Sequence, residues 1–369
     1  MVNPATAVAA AALRGQEVRD AAQNGNLARV TELLQNGAIS EADRGQAVGN
    51  ASDQGHLAIV NALLANGAIS GADRGVAVLS ASLRGHLNIV NALLGNGAIS
   101  EADRGLAVLS ASNQGDIDIV NALLANEAVI SEAVRGQAVR SASNQGRLNI
   151  VNALLANGAI SEADRGQALL SACDQADLDI ITALLANEAV ISEADRGEAV
   201  MDASNQRHLD IVNVLLANGA VISVADRGHA VYSASNQVDL DIVNALLANG
   251  AISQANRGEA VRAASGQGHL NIVNALLANG AISQADRGQA VMDASDHGDL
   301  DIVNALLANG AISQADRGQA VIEASEQGHL DIVNALLQNG NILEVDRRQA
   351  IRVATENAHQ EIADFLRNQ

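Results

Sequence analysis

Eight histidines, 42 acidic residues and one cysteine are the side chains of this 369-residue chain that could carry chemistry. Histidine nitrogens suit a metal, paired carboxylates suit general acid–base work, and a thiolate suits nucleophilic attack. Spacing decides against each. His56, His86, His208, His269 and His329 occupy one fixed place in a repeating unit. Copies one unit apart stand about 8–10 Å from each other, too far to share ligation at about 2 Å. Asp116, Asp118, Asp177, Asp179, Asp299 and Asp301 recur in the same way and read as a solvated rim. Cys173 stands where most other units carry Ser, so it reads as a small buried side chain. No phosphate loop, nucleophile elbow or zinc spacing occurs. The expectation is a protein that is not an enzyme, with no cofactor and no metal.

Composition narrows the partners. The formal net charge is −20, which disfavours nucleic acid and anionic membrane surfaces because both need Lys and Arg. A basic protein partner fits that charge. A single cysteine allows no internal disulfide, so no oxidising compartment is needed. With no Trp, Phe365 the only phenylalanine and Tyr232 the only tyrosine, the interior must be Ala, Leu, Val and Ile. The apolar stretch from Ala5 to Leu13 lacks a preceding basic segment and is too short to span a bilayer. It is expected to be a capping helix.

The elements that position these residues follow from the repeat. Unit starts lie at Arg14, Arg44, Arg74, Arg104, Arg135, Arg165, Arg196, Arg227, Arg257, Arg287, Arg317 and Arg347. Such a period marks a solenoid whose units bury their apolar faces against neighbours. In the unit of Arg287, Ser283 and Asp286 have capping-box spacing. A first helix is expected to Asp296, with Ala290, Val291 and Ala294 on one face, and Gly298 breaks it. A second helix is expected from Leu300 to Asn309, with Gly310 as a left-handed cap. Arg-Gly leaves two possibilities: a first helix running through it, where Gly permits close packing, or a separate turn before a shorter helix. Asn61, Asn91, Asn121, Asn152, Asn213, Asn244, Asn274, Asn304 and Asn334 repeat at one place, which suggests a hydrogen-bonded ladder between units.

The segments GHLAIVNALLANGA (55–68), GHLNIVNALLGNGA (85–98), GHLNIVNALLANGA (268–281) and GHLDIVNALLQNG (328–340) resemble ankyrin repeats. The resemblance extends over essentially the whole chain. The first half of each unit departs from the family pattern: Gly-Gln-Ala-Val, as at Gly288, stands in place of Gly-x-Thr-Pro-Leu-His. The unit is also about three residues short where the family projects a β-hairpin finger. The resemblance implies an all-α, αα-hairpin solenoid that binds proteins on its concave side, here with fingers absent or reduced to tight turns.

Function is expected where the units differ. The place five residues after each leading Arg holds Arg19, Gly49, Leu79, Leu109, Arg140, Leu170, Met201, Tyr232, Arg262, Met292, Ile322 and Arg352. Three residues earlier, Val76, Leu106 and His229 break a run of mostly Gln and Glu. In the ankyrin comparison this face lines the concave surface. Val76, Leu79, Leu106, Leu109, Arg140, Leu170, Met201, His229, Tyr232, Arg262, Met292 and Ile322 are therefore the expected partner-binding residues. Partial burial against the next layer is the competing explanation. Stacking would join Val76, Leu79, Leu106 and Leu109 into one patch, Leu170, Met201 and Tyr232 into a second, and Met292 and Ile322 into a third.

Residues 1–13 are expected to cap one continuous solenoid domain, 14–346 to form eleven repeats, and 347–369 to close the stack through Gln360, Glu361, Asp364, Arg367 and Phe365. An extra residue at Ala128, Ala189 and Ala220 is expected to alter local curvature. The functional expectation is a monomeric, cytoplasmic scaffold for a protein partner, with no nucleic acid and no membrane bound. The alternatives are a secreted bacterial effector acting on a host protein and a self-assembling structural protein.

Overall fold

A computed structural model describes residues 4–125, 129–186, 190–218 and 222–369. Among these residues the structure is helical throughout, with no strand. The chain divides into two compact units, Met1–Ile191 and Ser192–Gln369. In the first, the leading helix of each hairpin is α1 (Pro4–Gln23), α3 (Glu41–Asp53), α5 (Gly71–Leu83), α7 (Glu101–Gln114), α9 (Glu132–Asn144) or α11 (Glu162–Asp174). Their partners are α2 (Leu27–Gln35), α4 (Leu57–Asn66), α6 (Leu87–Asn96), α8 (Ile117–Leu124), α10 (Leu148–Asn157) and α12 (Leu178–Leu185). The second unit repeats the pattern with leading helices α13 (Glu193–Asn205), α15 (Val224–Asn236), α17 (Gln254–Ser265), α19 (Gln284–His297), α21 (Gln314–Gln327) and α23 (Glu344–Glu356). Their partners are α14 (Leu209–Ala217), α16 (Leu240–Asn249), α18 (Leu270–Asn279), α20 (Leu300–Asn309), α22 (Leu330–Asn339) and α24 (Gln360–Arg367). Within each unit, leading helices of successive hairpins pack more closely than the second helices do.

A serine N-cap starts the leading helices from α3 to α21. Ser283, in extended conformation, accepts the Asp286 N–H at 3.0 Å, and its hydroxyl donates to Asp286 Oδ2. One orphan donor is satisfied and a carboxylate is placed near the positive helix end. The helix then runs unbroken through Arg287 and Gly288. Gly288 is required by the next repeat, because a Cβ there would lie 2.3 Å from Asp316 Oδ2. The same contact joins Gly45 to Asp73, Gly136 to Asp164 and Gly258 to Asp286. Each Asp thus serves its own helix as a capping group and the preceding helix as a packing surface.

The left-handed residue lies at the end of the leading helix, not at Gly310. Gly298 has φ 85° and ψ 19°, whereas Gly310 has φ 158° and ψ 175° and is close to fully extended. Gly310 is small for a different reason: the Arg287 guanidinium lies over it, with Cζ 3.0 Å from where a Cβ would be. That guanidinium bridges the two connectors flanking its own hairpin. Nη2 donates to Ile282 O at 3.4 Å and Asn309 Oδ1 at 3.0 Å, and Nη1 donates to Ala311 O at 3.1 Å. Arg74, Arg227 and Arg257 make the same three bonds. Arginine stitching therefore operates where the resemblance would place a finger. In the units of Arg104 and Arg165, Nη1 donates instead to Leu123 O or Leu184 O, and the second helix stops early, at Leu124 or Leu185. Ala128, Ala189 and Ala220 lie outside the described residues.

The core is thin and repetitive. Ala290, Val291 and Ala294 from the leading helix and Ile302, Val303 and Leu306 from the second are at most 1% exposed, and the units from Arg44 to Arg317 bury the same places, with Leu169 and Ile181 for the two valines in the unit of Arg165. Each buried aliphatic side chain contributes about 1.5–3 kcal/mol, and Ala permits the leading helices to lie close. Cys173 joins this layer at 1% exposure. At the amino end, the apolar stretch continues without a break into the first leading helix, since α1 begins at Pro4 and passes Arg14. At the carboxyl end, Gln360, Glu361, Asp364 and Arg367 are exposed on α24 and Phe365 is half-buried.

Candidate functional site

The variable stripe lies on the leading helices, between core positions. In α5, Val76 is 58% exposed while Ala77 and Val78 are fully buried. Leu106 repeats this on α7 at 51%, and Tyr232 on α15 is 41% exposed. His229 and Arg262 are exposed too. Leu79, Leu109, Arg140, Leu170, Met201, Met292 and Ile322 are half-buried. None of the twelve enters the core. Because α5 packs on α7, Val76, Leu79, Leu106 and Leu109 share one face of adjacent helices. Met292 and Ile322 do so on α19 and α21, and Met201 and Tyr232 on α13 and α15. Leu170 belongs to the first unit and Met201 and Tyr232 to the second.

The stripe arginines are partly engaged. Arg140 stands 3.4 Å from Asp164 and Arg262 stands 3.6 Å from Asp286, each the capping carboxylate of the following repeat. Arg19 pairs with Asp43 in the same way. These cations pair one repeat with the next.

Cavities open on this face where the stripe is cut back. One of about 480 Å³ is lined by Arg19, Asp20, Gly49, Asn50, Asp53 and Val76, among others. Gly49 is unlike the packing glycines, since a Cβ there would meet nothing within 4 Å. A second cavity, of about 470 Å³, is lined by Tyr232, Glu259, Arg262, Ala263 and Asp293. A third, of about 340 Å³, is lined by Gly266, Met292, Asp293, Asp296, His297 and Glu323.

The carboxylates around the last two cavities were not singled out by sequence reasoning, which treated acidic residues as a rim on the second helices. The signal was present. Six residues after the leading Arg, five units carry Ser, whereas Asp20, Asp202, Asp293 and Glu323 put a carboxylate there, the last two on the adjacent helices α19 and α21. Burial pushes the Glu323 pKa up, and the nearby Asp296, Asp293 and Glu326 charges push it the same way.

One sequence expectation, the Asn ladder, fails here for a geometric reason. The repeated Asn side chains, Asn304 and its equivalents, are exposed on the outer side of the second helix and form no ladder. The amide that does bridge is the last residue of that helix, as at Asn309. The histidines do not cap the second helix through their side chains; His329 packs its ring against the preceding Gly298, where a Cβ would come within 2.6 Å. Among the described residues no group of three His, Cys, Asp or Glu side chains could hold a metal ion. No helix there is long and apolar enough to cross a membrane.

A family model described as ankyrin repeats (3 copies) matches residues 137–226, 230–317 and 291–369. No curated protein matches. Among solved structures, the pentatricopeptide repeat protein PPR10 from maize aligns with 97% of this chain and 68% of its own, at 10% identity and a TM-score of 0.30.

Proposed function

The chain belongs to the ankyrin-repeat family, and from that premise we propose that it is a non-enzymatic, monomeric scaffold that binds a partner protein through its leading-helix face. Ankyrin repeats generally mediate protein–protein interaction. One observation supports the choice of face: large apolar side chains at Val76, Leu106 and Tyr232 are 41–58% exposed, whereas the invariant aliphatics beside them are fully buried. Leaving such groups in water forgoes their burial energy, which a partner surface can recover. The other proposed contacts are Leu79, Leu109, Arg140, Leu170, Met201, His229, Arg262, Met292 and Ile322. On this reading the concave side of the repeat stack is the recognition surface and helices, not fingers, meet the partner. A cytoplasmic location suits a chain with one buried cysteine and a large negative charge.

The test is affinity capture from cell lysate with the wild-type chain and with a variant carrying Val76→Ser, Leu106→Ser and Tyr232→Ser. Proteins held by the wild type and lost by a folded variant support the face. An identical captured set from both removes it as the site.

A further inference from the structure

Resting on that reading, we infer that the second unit's leading-helix groove takes a basic, amphipathic segment of the partner. Its apolar side chains would meet Tyr232, Met292 and Ile322, and its lysines or arginines would enter the acidic cavities beside them. The groove is opened by α17, which carries Ala263 and Gly266 where α19 carries Asp293 and Asp296 and α21 carries Glu323 and Glu326. Cutting back α17 leaves the carboxylates of its neighbour facing the two cavities of about 470 and 340 Å³.

Those carboxylates are oriented but not neutralised. Gln289 Nε2 donates to Asp293 Oδ1 at 2.9 Å, Gln319 Nε2 to Glu323 Oε1 at 3.0 Å, and Gln327 Nε2 to Asp296 Oδ1 at 2.9 Å. Each donor is a neutral amide and occupies one oxygen. Glu323 Oε2 is buried without a hydrogen-bond partner. The nearby cation, Arg262, is turned toward Asp286, and His297 Nδ1 bonds the Asp293 carbonyl. An incoming ammonium or guanidinium would satisfy the vacant oxygens and relieve the mutual repulsion of the carboxylates. An anionic segment would add to that repulsion, and a purely apolar one would leave the carboxylates desolvated and unpaired. Half-exposed Met292, which lines the smaller cavity, and half-exposed Ile322, one repeat on and next to Glu323, supply the apolar track beside the carboxylates.

Fluorescence anisotropy with a labelled amphipathic leucine–lysine peptide tests the assignment, beside a matched leucine–glutamate peptide. Because the chain is acidic overall, the groove variant Asp293→Asn, Asp296→Asn, Glu323→Gln is compared with an outer-face variant, Asp241→Asn, Asp301→Asn, Asp331→Asn. Circular dichroism and thermal melting confirm that both fold. The expected result is at least tenfold weaker binding of the lysine peptide to the groove variant, less than twofold for the outer-face variant, and no binding of the glutamate peptide. Equal losses in the two variants would overturn the groove as the basic site. Tight binding of the glutamate peptide that falls on Met292→Ser would overturn the charge assignment and leave the protein-binding face standing. Peptide binding indifferent to Met292→Ser and Ile322→Ser would sink both.

Discussion

The guanidinium of Arg287 rests on the backbone of Gly310, with 3.0 Å between its Cζ and the place a Cβ would take. From there it donates to Asn309, Ile282 and Ala311, so one side chain ties two connectors together. A lysine has neither the planar fork nor the number of donors to do this. Arg287→Lys is expected to lower unfolding free energy by roughly 1–3 kcal/mol in urea titrations. Arg352→Lys, on a 58% exposed side chain paired with Glu356, is expected to change it by less than about 0.5 kcal/mol. Equal effects would show that the stitching contributes nothing beyond charge.

Two glycines in α3 predict opposite signs. Gly45 faces Asp73, whose Oδ2 lies 2.3 Å from a would-be Cβ, while Gly49 faces open space. Gly49→Ala is expected to stabilise by about 0.5–1 kcal/mol, the ordinary helix preference for Ala. Gly45→Ala is expected to destabilise, because Asp73 must move and its bonds with Ser70 are disturbed; loss of such a cap costs about 1 kcal/mol. Thermal melts of the two single variants decide it, and matching signs would refute the packing role given to Gly45.

Glu323 predicts a pH dependence. Its folded pKa is raised, first by burial and then by neighbouring carboxylates, so the folded state holds its proton more tightly than the unfolded chain. The stability from that proton is complete below the ordinary Glu pKa of about 4.3 and is lost as pH rises through the raised value. Glu323→Gln removes the ionisation. The variant's melting temperature should exceed the wild type's at neutral pH, and the gap should shrink as pH falls toward the ordinary carboxylate range. A gap that does not vary with pH would mean that ionisation of Glu323 is not its source.

What the sequence made legible follows from where each contact lies along the chain. The second helix of the Arg287 unit runs from Leu300 to Asn309, as its apolar spacing implies, and the leading helix ends one residue past the expected Asp296. Those are properties of contiguous residues. The partners of Arg287 and Gly288 were not legible, because Ala311 and Asp316 lie 24 and 28 residues onward and meet them only once the hairpins stack. The Asn ladder was misplaced because periodicity marks Asn304 as special without saying which side of the helix it faces. It lies next to buried Val303, yet points outward. The stripe was visible as variation at fixed places. Its acidic companions Asp293 and Glu323 vary one residue further on and were hidden among 42 acidic residues.

Val76 and Val78 put the stripe itself to the test. They stand two residues apart on α5, one 58% exposed and the other fully buried. If the stripe is surface held ready for a partner, Val76→Ser changes unfolding free energy by no more than about 0.5 kcal/mol. Val78→Ala removes two core methyl groups and is expected to cost about 2 kcal/mol. Equilibrium denaturation of both variants, measured without any partner, separates packing from recognition. Were Val76→Ser as damaging as Val78→Ala, the side chain would be doing core work through the neighbouring layer, and its exposure would no longer argue for a bound protein. A small cost for Val76→Ser, together with loss of captured protein, would mean that α5 keeps an apolar group in water that its own fold does not need.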